Sequence, residues 1–234
     1  GGQAEAGGRM GADVVGLVRA GRRGGATFLR GDETWVAADT RLHAANGVWF
    51  HEYVHSRQEF ELGPRMRWFE EASAEYFAAR LTAETGYATA VEQELYWLGR
   101  TRSESQLTQP STWADSAVPY HRGALVLAAL DSEIQERTDG QRSLENVFRH
   151  LNQHEGVVTY ELFAETVSEV TGEEMGPWLD RYVAGTDPVR GPTTSSTALT
   201  VVQTALPDGS SGPLGVGIGI SLLGGIMLRR RPFR

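Results

Sequence analysis

The chain contains no cysteine and no lysine among its 234 residues. The lack of cysteine excludes disulfides, thiolate zinc sites, iron–sulfur clusters and a cysteine nucleophile. Any metal ion must therefore be bound by histidine and carboxylate side chains. The 22 basic residues are all arginine, and 30 acidic residues give a net charge of −8. This charge disfavours nucleic acid as a partner, because the phosphate backbone attracts positive surfaces.

Apolar residues recur at spacings of three and four over much of residues 41–180, which predicts a mainly α-helical domain. Short β-prone runs at 27–29 and 34–37 flank a Gly-Asp turn and indicate a hairpin in front of the helices. We therefore expect an α+β domain over 27–186 with a small N-terminal β element. Residues 1–26 are rich in glycine and arginine, and their pattern predicts no definite structure. The predicted helices lie around 48–54, 68–81, 120–134, 144–151 and 162–170.

The composition changes at the end of this domain. Residues 187–212 are rich in proline, glycine, serine and threonine, which is typical of a linker. Residues 213–228 are strongly apolar, and no charged side chain occurs over 209–228. A helix over that uncharged stretch would be about 30 Å long, the thickness of one bilayer core. We predict a single transmembrane helix over 213–228, with a buried core helix as the alternative.

An arginine triplet, Arg229-Arg230-Arg231, begins the basic tail over 229–234. Basic residues beside a membrane span stay on the cytoplasmic side. We therefore expect a single-pass protein of the cell membrane, with the domain over 27–186 on the extracytoplasmic face.

The motif His51-Glu52-Tyr53-Val54-His55 lies in the first predicted helix. Residues four apart share one face of a helix, so His51 and His55 can offer two imidazole nitrogens to one ion. Glu52, one step around the helix, faces a water on that ion and can take its proton. This H-E-x-x-H pattern is typical of zinc hydrolases.

The next predicted helix supplies a candidate third ligand. Its apolar stripe faces the core and leaves Glu71 and Glu75 one turn apart on an adjoining face. Glu71 is the candidate ligand, and Glu75 can accept the free N–H of a ligating histidine and fix its tautomer. The alternative is a solvated acidic face. His150 and His154 repeat the four-residue spacing without a glutamate between them, and we interpret them as surface residues.

The histidine motif and two stretches that follow it resemble the gluzincin zinc metallopeptidases. The stretch from Trp68 to Tyr76 reads W-F-x-E-(small)-x-x-E-Y after the histidine motif, and Tyr120 to Leu125 resembles the Y-x-K-G element of aminopeptidase branches. The glycyl aminopeptidase family, whose members often carry a PDZ domain, is the most similar. The resemblance covers residues 40–186. Ala72 and Arg122 stand where the family usually has glycine and lysine.

The resemblance implies a thermolysin-like zincin fold that binds zinc through His51, His55 and Glu71. It also implies Glu52 as general base and Tyr120 as the hydrogen-bond donor to the developing oxyanion, for which an ordinary solvated tyrosine is the alternative. The expected function is zinc-dependent hydrolysis of peptide or protein substrates, with aminopeptidase activity as one form of it. The alternatives are an inactive metallopeptidase-like binding module at the cell surface and an anchored structural stalk without metal.

Overall fold

The computed structural model describes residues 15–19, 25–27, 33–37, 40–41, 44–45, 47–89, 92–93, 96–97 and 104–189. All of them belong to one compact unit, Gly1–Thr193. The predicted transmembrane helix, the basic tail and nearly all of the predicted linker lie outside the described residues, so these assignments stay predictions. Among the residues that are described, no helix combines the length and the apolar character needed to cross a membrane.

The described part is mainly helical, as the periodicity predicts. Its longer helices are α1 Val48–His55, α2 Arg67–Glu84, α3 Ala124–Arg137, α4 Leu144–Gln153 and α5 Tyr160–Thr171. A short helix, α6, spans Gly176–Leu179. Single π-helical turns, Pro119–Gly123 and Asp180–Ala184, precede α3 and follow α6. Short 3₁₀ turns occupy Pro64–Met66 and Pro110–Thr112.

A three-stranded sheet precedes the helices. Strand β2, Gly25–Thr27, pairs antiparallel with β3, Glu33–Ala37, which confirms a hairpin whose first strand begins two residues earlier than predicted. Strand β1, Val15–Arg19, pairs parallel with β3 and lies in the segment for which the sequence predicts no element. The strand order is β1-β3-β2. Elsewhere, β4 Glu61–Leu62 and β5 Val157–Val158 form a two-residue parallel pair.

Helix ends follow the expected capping chemistry. The Thr159 hydroxyl accepts a hydrogen bond of 3.2 Å from the Leu162 backbone N–H and begins α5. Gly172 ends that helix in the left-handed region, with φ of 74°. Helix α3 ends at Arg137, and Gly140 two residues beyond its cap has φ of 73°. The Ser143 backbone N–H donates to Asn146 Oδ1 at 3.0 Å at the start of α4.

Helix α2 lies at the centre of the core. Its Trp68 and Phe69 side chains are fully buried and contact Phe163 of α5, with ring centroids 6.0 and 5.4 Å apart. The predicted apolar stripe of α2 is thus buried, except that Phe77 is only partly so. Helix α1 packs against α2 and also against strands β2 and β3. The π-helical turn before α3 packs on α2 as well. Helix α2 therefore contacts both of the other segments that carry predicted site residues.

Two glycines allow these close contacts with α2. Gly47 precedes α1 with φ of 44°, and a Cβ there would lie 2.2 Å from Thr82 Oγ1. Gly123 closes the π-helical turn, and a Cβ there would lie 2.7 Å from the Ala72 Cβ. Contacts this short require the neighbouring atoms to move, namely the Thr82 side chain at Gly47 and the Ala72 methyl group at Gly123. The glycines therefore set how closely α1 and the π-helical turn approach α2.

Candidate metal centre

The two histidines of α1 converge on one point. His51 Nε2 and His55 Nε2 lie 3.0 Å apart, because the two residues are one helical turn apart on one face of α1, and their ring planes are 76° apart. The His51 residue is only 8% exposed, so its ring is held inside the protein rather than in bulk water. Helix α1 thus presents two imidazole nitrogens toward a shared position.

Helix α2 adds the third donor. Glu71 Oε2 lies 3.3 Å from His51 Nε2 and 3.2 Å from His55 Nε2. Ligands about 2.0–2.1 Å from a tetrahedral zinc ion stand about 3.3–3.4 Å from one another. The three atoms therefore already form a triangle of nearly the size that such an ion requires. Among the described residues, these three side chains form the group of histidines and carboxylates that could hold a metal ion.

The electrostatics of the group favour a positive charge between these atoms. Burial lowers the pKa of His51, but hydrogen bonds to Glu71 and Glu75 and the charges of both carboxylates outweigh this and raise it to about 9. Burial would raise the pKa of Glu71, but hydrogen bonds from both histidines hold it well below its ordinary value. Either a proton or a metal ion can supply that positive charge.

Each of the two candidate ligand rings, His51 and His55, is oriented by a second hydrogen-bond partner. Glu75 Oε2 lies 2.9 Å from His51 Nδ1, as the sequence predicts for Glu75. Gln58 Oε1 lies 2.8 Å from His55 Nδ1, and the Gln58 amide nitrogen donates to the Glu70 carbonyl at 2.7 Å. Since that carbonyl can only accept, the amide orientation is fixed and Oε1 must face His55. With the protons on Nδ1, both Nε2 atoms are free to bind a metal.

Glu52 and Tyr120 lie at the same site. Glu52 follows His51 on α1 and is only 4% exposed. The Tyr120 ring stacks on the His51 ring, with centroids 5.8 Å apart and planes 9° apart. Burial, the hydrogen bond between Tyr120 and Glu71, and the nearby carboxylates including Glu52 raise the pKa of Tyr120 well above its ordinary value. The hydroxyl therefore keeps its proton and remains a hydrogen-bond donor at neutral pH.

No family model matches this chain, and no curated protein matches it. The resemblance to gluzincins and to glycyl aminopeptidases therefore stays a prediction from the motifs. The geometry of the three donor atoms is a separate observation, because it depends on tertiary packing rather than on likeness to another sequence.

The π-helical turn positions Tyr120 through two neighbouring residues. Gly123 brings the turn against Ala72, the residue that follows Glu71 on α2. The buried Arg122 guanidinium donates hydrogen bonds to the backbone carbonyls of Tyr182 at 3.0 Å and Gly185 at 3.1 Å. Nη2 donates both of these hydrogen bonds, and Nη1 donates to the Asp187 carbonyl at 3.4 Å. Arg122 therefore connects the turn to the segment after α6.

Two residues near the ligands were missed by sequence reasoning. Gln58 lies three residues after His55, and its spacing is a signal that could have been used. Tyr96 donates a hydrogen bond of 2.6 Å to Glu75 Oε1 across 21 residues of sequence, and no local pattern marks it. His150 and His154, predicted to be surface residues, are both exposed.

Proposed function

We propose that this chain is a zinc-dependent metallopeptidase that hydrolyses peptide bonds. One observation carries the proposal: the His51, His55 and Glu71 donor atoms lie 3.0–3.3 Å apart beside a buried Glu52 carboxylate and a protonated Tyr120 hydroxyl. This arrangement supplies a three-ligand metal site, a proton acceptor and a hydrogen-bond donor in one place.

The donor set suits zinc. Two imidazole nitrogens and one carboxylate oxygen match the ligands of catalytic zinc sites, which leave a fourth position open. Hard cations such as magnesium and calcium prefer sites built of oxygen ligands. When bound here, zinc would lower the pKa of a water molecule and polarise a carbonyl oxygen.

Glu52 is the residue that moves the proton. In peptide hydrolysis, water adds to the carbonyl carbon, the C–N bond breaks, and the leaving nitrogen must gain a proton. Glu52 accepts the proton of the attacking water at its carboxylate and passes the same proton to that nitrogen. The carboxylate is therefore restored at the end of each cycle, and no other acid is required.

Tyr120 stabilises the negative charge that develops on the carbonyl oxygen. Its hydroxyl is protonated at neutral pH and lies beside Glu71, so it is a fixed donor at the edge of the site. A donor of this kind lowers the barrier for acyl transfer by about 3 kcal/mol. Stacking on His51 holds the phenol ring in a constant relation to the metal ligands.

The fold supports the same proposal. A sheet packs against α1, which carries both histidines, and the third ligand comes from the next helix, α2. We propose on this basis that the described part is a thermolysin-like zincin domain, with the glycyl aminopeptidases as its most similar family.

The replacement of Glu52 by glutamine tests the function directly. The amide cannot accept the proton, so we expect hydrolysis of a peptide library to fall by about 100- to 10,000-fold. Zinc content, measured by atomic absorption, should stay at one ion per chain because the three ligands are unchanged.

The exposed Glu59 provides a matched control, since Glu59→Gln makes the same chemical change outside the site. That variant should keep full activity. Full activity in Glu52→Gln would contradict the proposed mechanism. A wild-type chain that binds one zinc ion but cleaves nothing would instead favour the alternative of an inactive binding module.

A further inference from the structure

A chain of hydrogen bonds extends from the metal ligands to a tyrosine 45 residues along the sequence from His51. Tyr96 Oη donates to Glu75 Oε1 at 2.6 Å, and the other oxygen, Glu75 Oε2, lies 2.9 Å from His51 Nδ1. We infer that Tyr96 is a positioning residue of the metal centre, which acts on His51 through the Glu75 carboxylate.

Glu75 is suited to transmit this effect. A carboxylate is planar, and here each of its two oxygens is engaged by a different residue. Rotation of the carboxylate would break both hydrogen bonds, so the donor at Oε1 fixes the direction in which Oε2 points. Glu75 is only 7% exposed, and hydrogen bonds to a buried charge are stronger than those between neutral groups.

The same design occurs at the other histidine. The partner of His55 is Gln58, whose amide is anchored by the Glu70 carbonyl at 2.7 Å and by the Ser73 hydroxyl at 2.9 Å. The side chain that orients each candidate ligand ring is therefore itself fixed by further hydrogen bonds. At His51, the orienting side chain is Glu75, and the Tyr96 phenol fixes it by a hydrogen bond.

The phenol ring of Tyr96 is itself restrained. It makes an edge-to-face contact with Trp97, with centroids 5.1 Å apart and planes 84° apart. Trp97 packs against the hydrophobic core. The hydroxyl is therefore held toward α2 by ring packing. A phenylalanine at this position would keep the ring contact and lose only the hydrogen bond.

Zinc affinity of Tyr96→Phe tests the inference, which rests on the proposed metal centre but not on hydrolysis. Outer partners of metal ligands typically change affinity 10- to 100-fold, and we expect a loss of about 10-fold in competition with a chromophoric chelator. The visible absorption of the cobalt(II)-loaded protein should also change shape, because His51 is less firmly oriented.

Tyr76→Phe is the matched control. It removes a buried phenol–carboxylate hydrogen bond of the same length, 2.6 Å, which Tyr76 donates to Asp131. Asp131 accepts from Gln135 and from the Leu144 backbone rather than from a metal ligand. We expect the zinc affinity and the cobalt spectrum of this variant to match those of the wild type.

A double-mutant cycle with Glu75→Gln tests whether Tyr96 acts on His51 through Glu75. If Tyr96 acts through Glu75, adding Tyr96→Phe to Glu75→Gln will change the zinc affinity by less than about twofold. Equal losses in both backgrounds would overturn the inference, as would an unchanged affinity in Tyr96→Phe. A wild-type chain that takes up no metal would overturn the metal centre and this inference together, and activity assays are not needed to tell these results apart.

Discussion

At the scale of single residues, the site places two imidazole nitrogens and a carboxylate so close together that a proton or a metal ion is favoured between them. Two imidazole Nε2 atoms lie 3.0 Å apart, and the Glu71 carboxylate lies within 3.3 Å of both. A pair of bare nitrogens this close would repel each other. The low pKa of Glu71 and the raised pKa of His51 both show that a cation is stabilised there. The same feature that binds a proton in the metal-free protein favours a metal ion.

The raised pKa of His51 predicts how the stability of the metal-free protein depends on pH. Its folded-state pKa is about 9, against an ordinary value of 6.5. Protonated His51 therefore contributes stability that is complete below about pH 6.5 and is lost as the pH rises through about 9. With chelator present, we expect the free energy of unfolding in urea to fall by about 3 kcal/mol between pH 6 and pH 10.

His51→Gln is the control for this measurement, because glutamine keeps hydrogen bonding and does not titrate. Its metal-free form should show a much flatter dependence over the same range. An equally steep fall in this variant would assign the effect to other groups.

At the scale of elements, the site depends on how three segments meet. Helix α1 carries His51 and His55, α2 carries Glu71, and a π-helical turn carries Tyr120. Their approach is set by small residues at the contacts, above all Gly123 against Ala72. The gluzincin-like motif predicted from the sequence usually has glycine at the position of Ala72. Here the methyl group of Ala72 is accommodated because the facing residue is itself a glycine.

Gly123→Ala is predicted to separate catalysis from metal binding. Its Cβ would lie 2.7 Å from the Ala72 Cβ and would push the Tyr120 turn away from α2. Overpacking of this kind costs about 1–3 kcal/mol of stability. Misplacement of the Tyr120 hydroxyl by about 1 Å should lower kcat/KM by up to about 100-fold, with zinc affinity nearly unchanged.

Gly140→Ala offers a comparison of similar stability. Gly140 has φ of 73° and open space where a Cβ would stand, so alanine there costs about 1–2 kcal/mol through the left-handed backbone alone. Activity and zinc affinity should both be kept. If Gly123→Ala retains full activity as a folded protein, the close approach to Ala72 is not what places Tyr120.

At the scale of the whole molecule, a bound ion would add a further link between α1 and α2, which already contact each other through packing and the His51–Glu75 hydrogen bond. Two ligands come from α1 and one from α2, and α2 is central to the core while α1 lies between α2 and the sheet. A ligand that binds only the folded state stabilises it in proportion to the logarithm of its concentration. An ion bound at the proposed metal centre would therefore help to hold α1 in place.

Zinc at about 1,000 times its dissociation constant should raise the free energy of unfolding by about 4 kcal/mol. Removal of zinc by a chelator should increase amide hydrogen exchange mainly in α1. Helices α4 and α5 pack on each other and carry none of the three candidate ligands, so they should keep their protection. A uniform loss of protection in all helices, or none in α1, would contradict this coupling.

The sequence alone was sufficient for the features that depend on local periodicity. The spacing of His51 and His55 on one helical face and the helices that follow are as predicted, because they depend on residues within a few positions of one another. Strand β1 was missed, because its pairing with β3 depends on a distant segment and not on its own short, glycine-flanked pattern.

Only the tertiary structure decided which side chains meet. Glu71 could have been a solvated residue until α1 packed on α2 and brought its carboxylate within 3.3 Å of both rings. Gln58, Arg122 and Tyr96 acquire their roles from contacts across 12 to 63 residues of sequence, which no local pattern contains. Local sequence determines which face of a helix a residue occupies, but the packing of one helix on another determines what that face contacts.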